Sequence, residues 1–235
     1  MDAIKTFPKF TIFFIVLMIL EILGLTVIPT YHIVSKPMIM AGLIGFYIVY
    51  EKKQSHVFLT GLIFALLGDC FLMFGTNDMF MIGLTCFLIM QLCYTSTFNQ
   101  KRRVPRYKDY NVPGILVLIG LSALGLLWSG LGDLKWAVAL YAAAIVTMAI
   151  FAYLRHPLLR GYWVLFAGVI LFIVSDALLG FNKFGGGFPN AQIAVMVTYM
   201  LAQYCIVTGE VLGGMKKPKV NSKTKTDGVF SRHKA

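Results

Sequence analysis

The sequence predicts an all-α, polytopic membrane protein of eight transmembrane helices, arranged as a parallel four-plus-four repeat. Three observations lead there. The chain is 58% hydrophobic and only 13% charged over 235 residues, where a soluble domain carries roughly a quarter charged residues. Uncharged runs long enough to cross a hydrocarbon core of about 30 Å recur from end to end. The basic residues are also sorted between alternate connections, as the positive-inside rule requires of a chain that threads a bilayer.

Taken in order, the spans run from Phe10 to Ile28, Ile33 to Tyr50, Val57 to Phe74, Met79 to Phe98, Val112 to Trp128, Leu134 to Leu154, Tyr162 to Phe181 and Ala191 to Leu212. Turn and breaker residues separate them. Pro29, Pro37, Pro113 and Pro189 fall near span ends, and Asn77-Asp78, Gly132-Asp133 and Gly185-Gly186-Gly187 supply tight turns. Lys5 and Lys9 precede the first span. Lys52 and Lys53 follow the second, Lys101, Arg102, Arg103, Arg106 and Lys108 follow the fourth, and Arg155 and Arg160 follow the sixth. Seven more lie from Lys216 onward. Of the 21 Lys and Arg, only Lys36, Lys135 and Lys183 fall on the other side. Eight crossings with both termini cytoplasmic satisfy this distribution, in the inner or plasma membrane if the source is bacterial. The net charge of +11 then reflects loop bias and implies no nucleic acid partner.

Residues 1–214 form one transmembrane domain, and residues 215–235 a basic tail expected to be disordered for want of apolar residues to bury. The N-terminus shows no cleavable signal, so the first span serves as an uncleaved anchor. Cys70, Cys86, Cys93 and Cys205 all lie within spans. No CxxC or Cys/His pair occurs, so they read as small packing residues, and neither a metal nor another cofactor is expected.

The chemistry-bearing feature is a pair of aspartates where lipid disfavours them. Asp69 ends GLIFALLGD and Asp176 ends AGVILFIVSD, both deep in apolar runs. A carboxylate at that depth costs several kcal/mol unless it is paired, hydrated or protonated. The surroundings match as well. Each aspartate follows a small residue, Gly68 or Ser175, and a polar turn comes next. The following span then carries Gln91-Leu-Cys93 in one half and Gln203-Tyr-Cys205 in the other. The aspartates are 107 positions apart and the glutamines 112, so the third and fourth spans read as copies of the seventh and eighth, running in the same direction.

At 1.5 Å per residue, Glu21, Asp69 and Asp176 lie roughly 16–21 Å from the cytoplasmic end. Lys36 reaches the same layer from the opposite side. Tyr94, Tyr141, Tyr199, Gln91 and Gln203 sit at mid-depth or nearer the cytoplasm. Such a layer must face inward, because lipid cannot stabilise it; a polar cavity opening toward the outer leaflet or outer face is expected. Duller roles stand beside these. Glu21 and Lys36 pair to hold helices together, or tune the acids. Lys36-Pro37 marks a helix start with a snorkelling lysine. The glutamines are interhelical hydrogen-bond glue.

At these residues the chain resembles the YhhN-like lysoplasmalogenase family of integral membrane proteins. The resemblance rests on SKPM at Ser35 to Met38, GLIFALLGDCFLMF at Gly61 to Phe74, MIGLTCFLIMQLCYTSTF at Met81 to Phe98, FAGVILFIVSDALLGFNKF at Phe166 to Phe184 and VTYMLAQYCIVTG at Val197 to Gly209. It implies an eight-helix bundle that hydrolyses the vinyl ether bond of lysoplasmalogens, giving a fatty aldehyde and a glycerophospho-alcohol. The implied partners are thus a lysophospholipid substrate and the bilayer. One departure stands out: Gln91 occupies the place where the family pattern leads one to expect a histidine.

Vinyl ether cleavage requires a proton donor to the alkene carbon and a carboxylate that activates water and stabilises the oxocarbenium-like cation. Two carboxyl groups in a pocket of low dielectric divide these roles, as they do in glycoside hydrolases. Asp69 and Asp176 are the expected catalytic pair. Lys36 keeps one of them charged or binds the substrate phosphate, and Glu21 acts on Lys36. Asn182 and Lys183 are expected headgroup contacts, and Gln91, Tyr94, Tyr199 and Gln203 supporting polar groups. Apolar walls hold the alkenyl chain. The alternative is a proton-coupled secondary transporter or lipid-handling protein built on the same acids. The runs around Asp69 and Asp176 contain no proline, which favours a fixed pocket over the broken helices of carriers.

Overall fold

A computed structural model describes residues 5–27 and 29–215. Among them eight long helices follow one another: α1 Pro8–Thr26, α2 Pro29–Tyr50, α3 His56–Leu72, α4 Asn77–Gln100, α5 Asn111–Leu127, α6 Lys135–Tyr153, α7 Tyr162–Phe184 and α8 Ala191–Gly214. Seven segments are long and apolar enough to cross a membrane, α5 being extended to Tyr107–Gly130 by the 3-10 turns at its ends; α3, with 17 residues and no such extension, is shorter. No strand occurs among the described residues beyond an isolated bridge between Arg102 and Arg155. The expected disorder of the tail concerns residues 216–235, which lie outside the described residues.

The helix starts have local causes. Ser55 accepts a hydrogen bond from the Phe58 amide at the start of α3, and Thr76 accepts one from Met79 at the start of α4. Gly161, at φ 77°, turns the chain into α7 in a left-handed conformation that glycine adopts freely. One expectation is corrected. Pro37 does not mark a helix start: it lies inside α2. Lys36 beside it is buried at 7% exposure rather than snorkelling. The first two turns of α2 precede the proline, and they carry polar groups that find partners inside the bundle.

The most extensively packed helix pairs are α7 with α8 and α3 with α4, the two hairpins that the repeat equates. Both use the same close approach. A Cβ at Gly61 of α3 would lie 3.1 Å from Cys93 Cβ on α4. At Gly168 of α7 it would lie 2.8 Å from Cys205 Cβ on α8. The spacings of 107 and 112 between the acids and between the glutamines also relate these glycines and cysteines, so the repeat extends to the helix contacts. By contrast, α5 is loosely held: only Leu116 and Leu127 are buried, and Ile115, Leu118, Ile119 and Leu121 face outward.

Several basic residues tie one end of the bundle together. Glu210, 2% exposed, receives Arg155 and Lys101, each at 2.5 Å. The Arg155 guanidinium stacks over Phe98 at 5.1 Å. Arg160 donates to Thr6 at 3.0 Å, and Arg103 forms a bidentate pair with Asp109. A buried ion pair is costly to break from one side, because the remaining charge is left without a partner. Glu210→Ala should therefore lower stability by about 3–5 kcal/mol, measured by unfolding in detergent, whereas removal of the exposed Lys52 should have no measurable effect.

Candidate active site

Near the end of the bundle opposite the ion-paired one lies a cavity of about 340 Å³. Both aspartates line it: Asp69 from α3, 2% exposed, and Asp176 from α7, half-buried. Lys36, Asn182, Lys183 and Tyr199 line the same cavity, together with His32 and Gln192. Six of the ten residues singled out from sequence thus meet in one chamber. The small residues before the acids make room for it. Gly68 abuts the Phe87 ring of α4 so closely that a Cβ would lie 2.9 Å from it. Ser175 turns its hydroxyl to the Val195 carbonyl of α8 at 3.0 Å.

Each acid is held by a tyrosine from another helix. Tyr199 of α8 donates to Asp69 Oδ2 at 2.7 Å, and Tyr141 of α6 donates to Asp176 Oδ2 at 2.6 Å. Depth counting along the chain places both tyrosines below the acids. Their hydroxyls nevertheless reach the acid level, because α6 and α8 start at the cavity end and helical side chains lean toward the helix N-terminus. Tyr199 is fixed further by edge-on contacts with Phe87 and Phe172, each at 5.8 Å between ring centres.

The electrostatic surroundings of the two acids differ. Lys36 and His32 line the cavity with Asp69, and Glu21 stands behind His32. Asp176 receives the Tyr141 hydroxyl and has apolar walls on one side. Those walls belong to a second, smaller cavity of about 130 Å³ between α5, α6 and α7. Asp176, Phe80 and Leu179 line both cavities, so Asp176 stands on the boundary between a polar chamber and an apolar one.

The other four residues lie outside this lining. Glu21 is fully buried behind it, and its partners are His32 Nδ1 at 2.8 Å and Ser35 Oγ at 2.5 Å rather than Lys36. Tyr94 donates to Gln203 Oε1 at 3.0 Å, and the Gln203 amide contacts Met90 sulfur at 3.4 Å. Gln91 is fully buried, and its amide makes no hydrogen bond to another described group. No cluster of three or more metal-ligating side chains occurs among the described residues.

His32 escaped the sequence reading. A signal existed: His32, Ser35 and Lys36 fall at i, i+3 and i+4, one face of a helix. Starting the second span at Ile33 left His32 outside it and hid that register, whereas the helix begins at Pro29. Because Glu21 is the acceptor for both His32 and Ser35, Glu21→Ala should lower stability by about 1–3 kcal/mol. Glu21→Gln, which keeps an acceptor, should lose less; comparison of their thermal unfolding in detergent checks this.

The profile of the YhhN family matches residues 31–210, which contain every cavity-lining residue named above. Lysoplasmalogenase TMEM86A from Homo sapiens is 29% identical over 181 residues, covering 74% of this chain and 72% of that one. Its Bos taurus counterpart is 28% identical over 180 residues with the same coverage. Lysoplasmalogenase TMEM86B from Sus scrofa is 39% identical over 101 residues, 40% of this chain and 41% of that protein. No solved structure matches the chain.

Proposed function

The chain belongs to the YhhN family, and on that premise we propose that it is a membrane hydrolase cleaving the vinyl ether bond of lysoplasmalogens. The observation that carries this is the pair of repeat-related aspartates lining one cavity, one of them also facing an apolar chamber. Orientation follows the basic residues: both termini are cytoplasmic, and the cavity opens toward the other face.

The two environments divide the chemistry. In a lysoplasmalogen the ether oxygen joins the glycerol to a carbon–carbon double bond, beyond which the hydrocarbon chain begins. Hydrolysis protonates the double-bond carbon farther from the oxygen, on the tail side. Asp176, at the apolar boundary, is the proton donor there. Tyr141 occupies one of its carboxyl oxygens, leaving the other for the proton. The carbon next to oxygen becomes an oxocarbenium centre nearer the polar chamber. Asp69, with Lys36 and the Tyr199 hydroxyl around it, is the carboxylate that faces this cation and takes a proton from the attacking water. A hemiacetal results. Asp69 then gives that proton to the departing ether oxygen, while the hemiacetal hydroxyl returns its own to Asp176. One water is consumed, and aldehyde and glycerophospho-alcohol leave with both acids restored.

The headgroup lies at the polar end. Lys36, Lys183 and Asn182 suit a phosphate, with Lys183 steadied by Asn77 at 2.9 Å. Gln91 has no part in this scheme: it stands outside the lining, so the glutamine found in place of a histidine removes no group that meets the substrate.

Asp69→Asn and Asp176→Asn should each reduce aldehyde release from purified protein in detergent by about 10²-fold or more, with unfolding midpoints close to the parent's. Turnover persisting in both variants rejects the assignment. Tyr141→Phe removes only one hydrogen bond to the donor and should slow the reaction about tenfold. Because the assay needs no vesicle, it also separates hydrolysis from transport.

A further inference from the structure

One charged side chain of the polar chamber has no part in the reaction above. His32 lines the chamber from α2, one helix turn nearer the cavity end than Lys36. Behind its ring stands Glu21 of α1, fully buried, which meets His32 Nδ1 at 2.8 Å and Ser35 Oγ at 2.5 Å. Gly24 lets the two helices come this close: a Cβ there would lie 3.0 Å from the His32 backbone nitrogen and 3.3 Å from Ser35 Oγ. Two side chains of α2 are thus bound to one carboxylate of another helix, and the ring is fixed between them and the chamber. A carboxylate with no exposure is costly without a cation, and His32 is the residue paired with Glu21 among the described residues. Paired so, the imidazole carries both protons. Nδ1–H goes to Glu21, and Nε2–H, which no described group accepts, is left for the chamber.

We propose that His32 is a headgroup-binding residue: its Nε2–H donates to the phosphate of the lysophospholipid, and Glu21 holds the ring for that contact. The assignment rests on the lysoplasmalogenase reading of the aspartate cavity and adds a phosphate ligand to it. Charge balance identifies the occupant. In the reaction as written Asp176 enters protonated, so His32, Lys36 and Lys183 face a single carboxylate, Asp69. An anion restores the balance, and a phosphodiester offers one negative charge on two free oxygens that accept charge-assisted hydrogen bonds. Depth agrees. His32 is the fourth residue of α2 counted from the cavity end, and Asp176 the ninth of α7 counted from the same end, which sets the proton donor about 7 Å deeper. In a lysoplasmalogen three glycerol carbons and two oxygens separate the phosphorus from the double bond, a comparable length. A phosphate at His32 therefore leaves the vinyl ether within reach of Asp176. The same contact makes His32 a specificity residue, because a neutral alkenyl lipid of equal tail gives the imidazolium nothing to bind.

The test compares two vinyl ethers of the same tail on wild-type protein and His32→Gln in detergent: alkenyl-glycerophosphoethanolamine, and alkenylglycerol, which lacks the phosphate. The ratio of kcat/KM for the first over the second should fall at least about tenfold in the variant. A folded variant with an unchanged ratio, whether both substrates slow equally or neither does, overturns the phosphate contact. If the wild type releases no aldehyde from either lipid, it is the hydrolase reading that fails. A binding arm decides the contact in that case, and also if His32→Gln does not fold. The chain has four histidines. With His56, His156 and His233 each replaced by Gln, nitrogen NMR of isotope-labelled histidine follows the His32 ring alone. Hexadecyl-glycerophosphoethanolamine, a saturated ether with no vinyl bond to cleave, should shift the Nε2 resonance, and hexadecylglycerol should not. Equal shifts with the two lipids, or no shift with either, overturn the proposal.

Discussion

A carboxyl group in hydrocarbon has to be surrounded by protein, and the bundle is organised around housing two of them. The lipid bilayer offers neither water nor counter-ions, so each aspartate needs a neighbouring helix close enough to cover it and a polar group to meet it. The close approach comes from small residues at the crossings: Gly61 and Gly68 in α3, Gly168 and Ser175 in α7. The polar groups come from across the bundle, as tyrosines on α6 and α8. Neither helix hairpin could seat its acid alone, because Asp69 of the first half takes its hydroxyl from Tyr199 of the second.

The repeat supplies two equivalent acids, but the reaction proposed for them needs two different ones. The difference arises where the halves diverge. Tyr199 has Phe87 as its counterpart at the 112-residue spacing, and phenylalanine cannot donate to Asp176. Tyr141 on α6 fills that role instead. In the first half, α2 presents Lys36 to the chamber of Asp69. One acid thus lies near a cation and the polar mouth, and the other near a neutral phenol and an apolar wall. A duplicated pair of acids thus becomes an asymmetric site through the groups that other helices bring to each.

Sequence alone made the eight helices, the basic end and the paired acids legible, because each is written in local pattern: apolar length, charge alternation, and a recurring small-residue–Asp pair. Partnerships between helices were less accessible. Glu21 and Lys36 have opposite charges at similar depth, which suggested a pair, yet Glu21 is occupied by His32 and Ser35. Charge and depth do not carry the rotation of a helix about its axis, and that rotation decides which neighbours meet. The same gap hid the tyrosine–aspartate bonds. Placing Tyr141 and Tyr199 required their Cα positions and also the lean of side chains toward the N-terminus of helices that begin at the cavity end. Gln91, Tyr94 and Gln203 fell outside the lining for a related reason. Their Cα atoms share the bundle interior with the acids, but Tyr94 turns to Gln203 and away from the chamber.

The two ends of the bundle carry charge for different purposes. At one end Glu210 pairs with Arg155 and Lys101, and Arg155 is covered by the Phe98 ring; these charges join helices to one another. At the other end Lys36 and Lys183 face a chamber, and neither forms an ion pair with a carboxylate among the described residues. Lys183 is held only by the neutral Asn77 and lies 5.1 Å over the Phe80 ring. A cation steadied by an amide and an aromatic face keeps its charge available for an anion. Two lysines beside two acids form a site suited to a molecule that is anionic at one end and whose reactive bond lies about two helix turns deeper, where the walls change from polar to hydrocarbon. The change of wall at Asp176, more than either acid alone, is what distinguishes a lipid-cleaving pocket from a proton-carrying one. A proton carrier needs polar groups continuing across the membrane, whereas here the path beyond Asp176 is lined by leucine, isoleucine, alanine and valine.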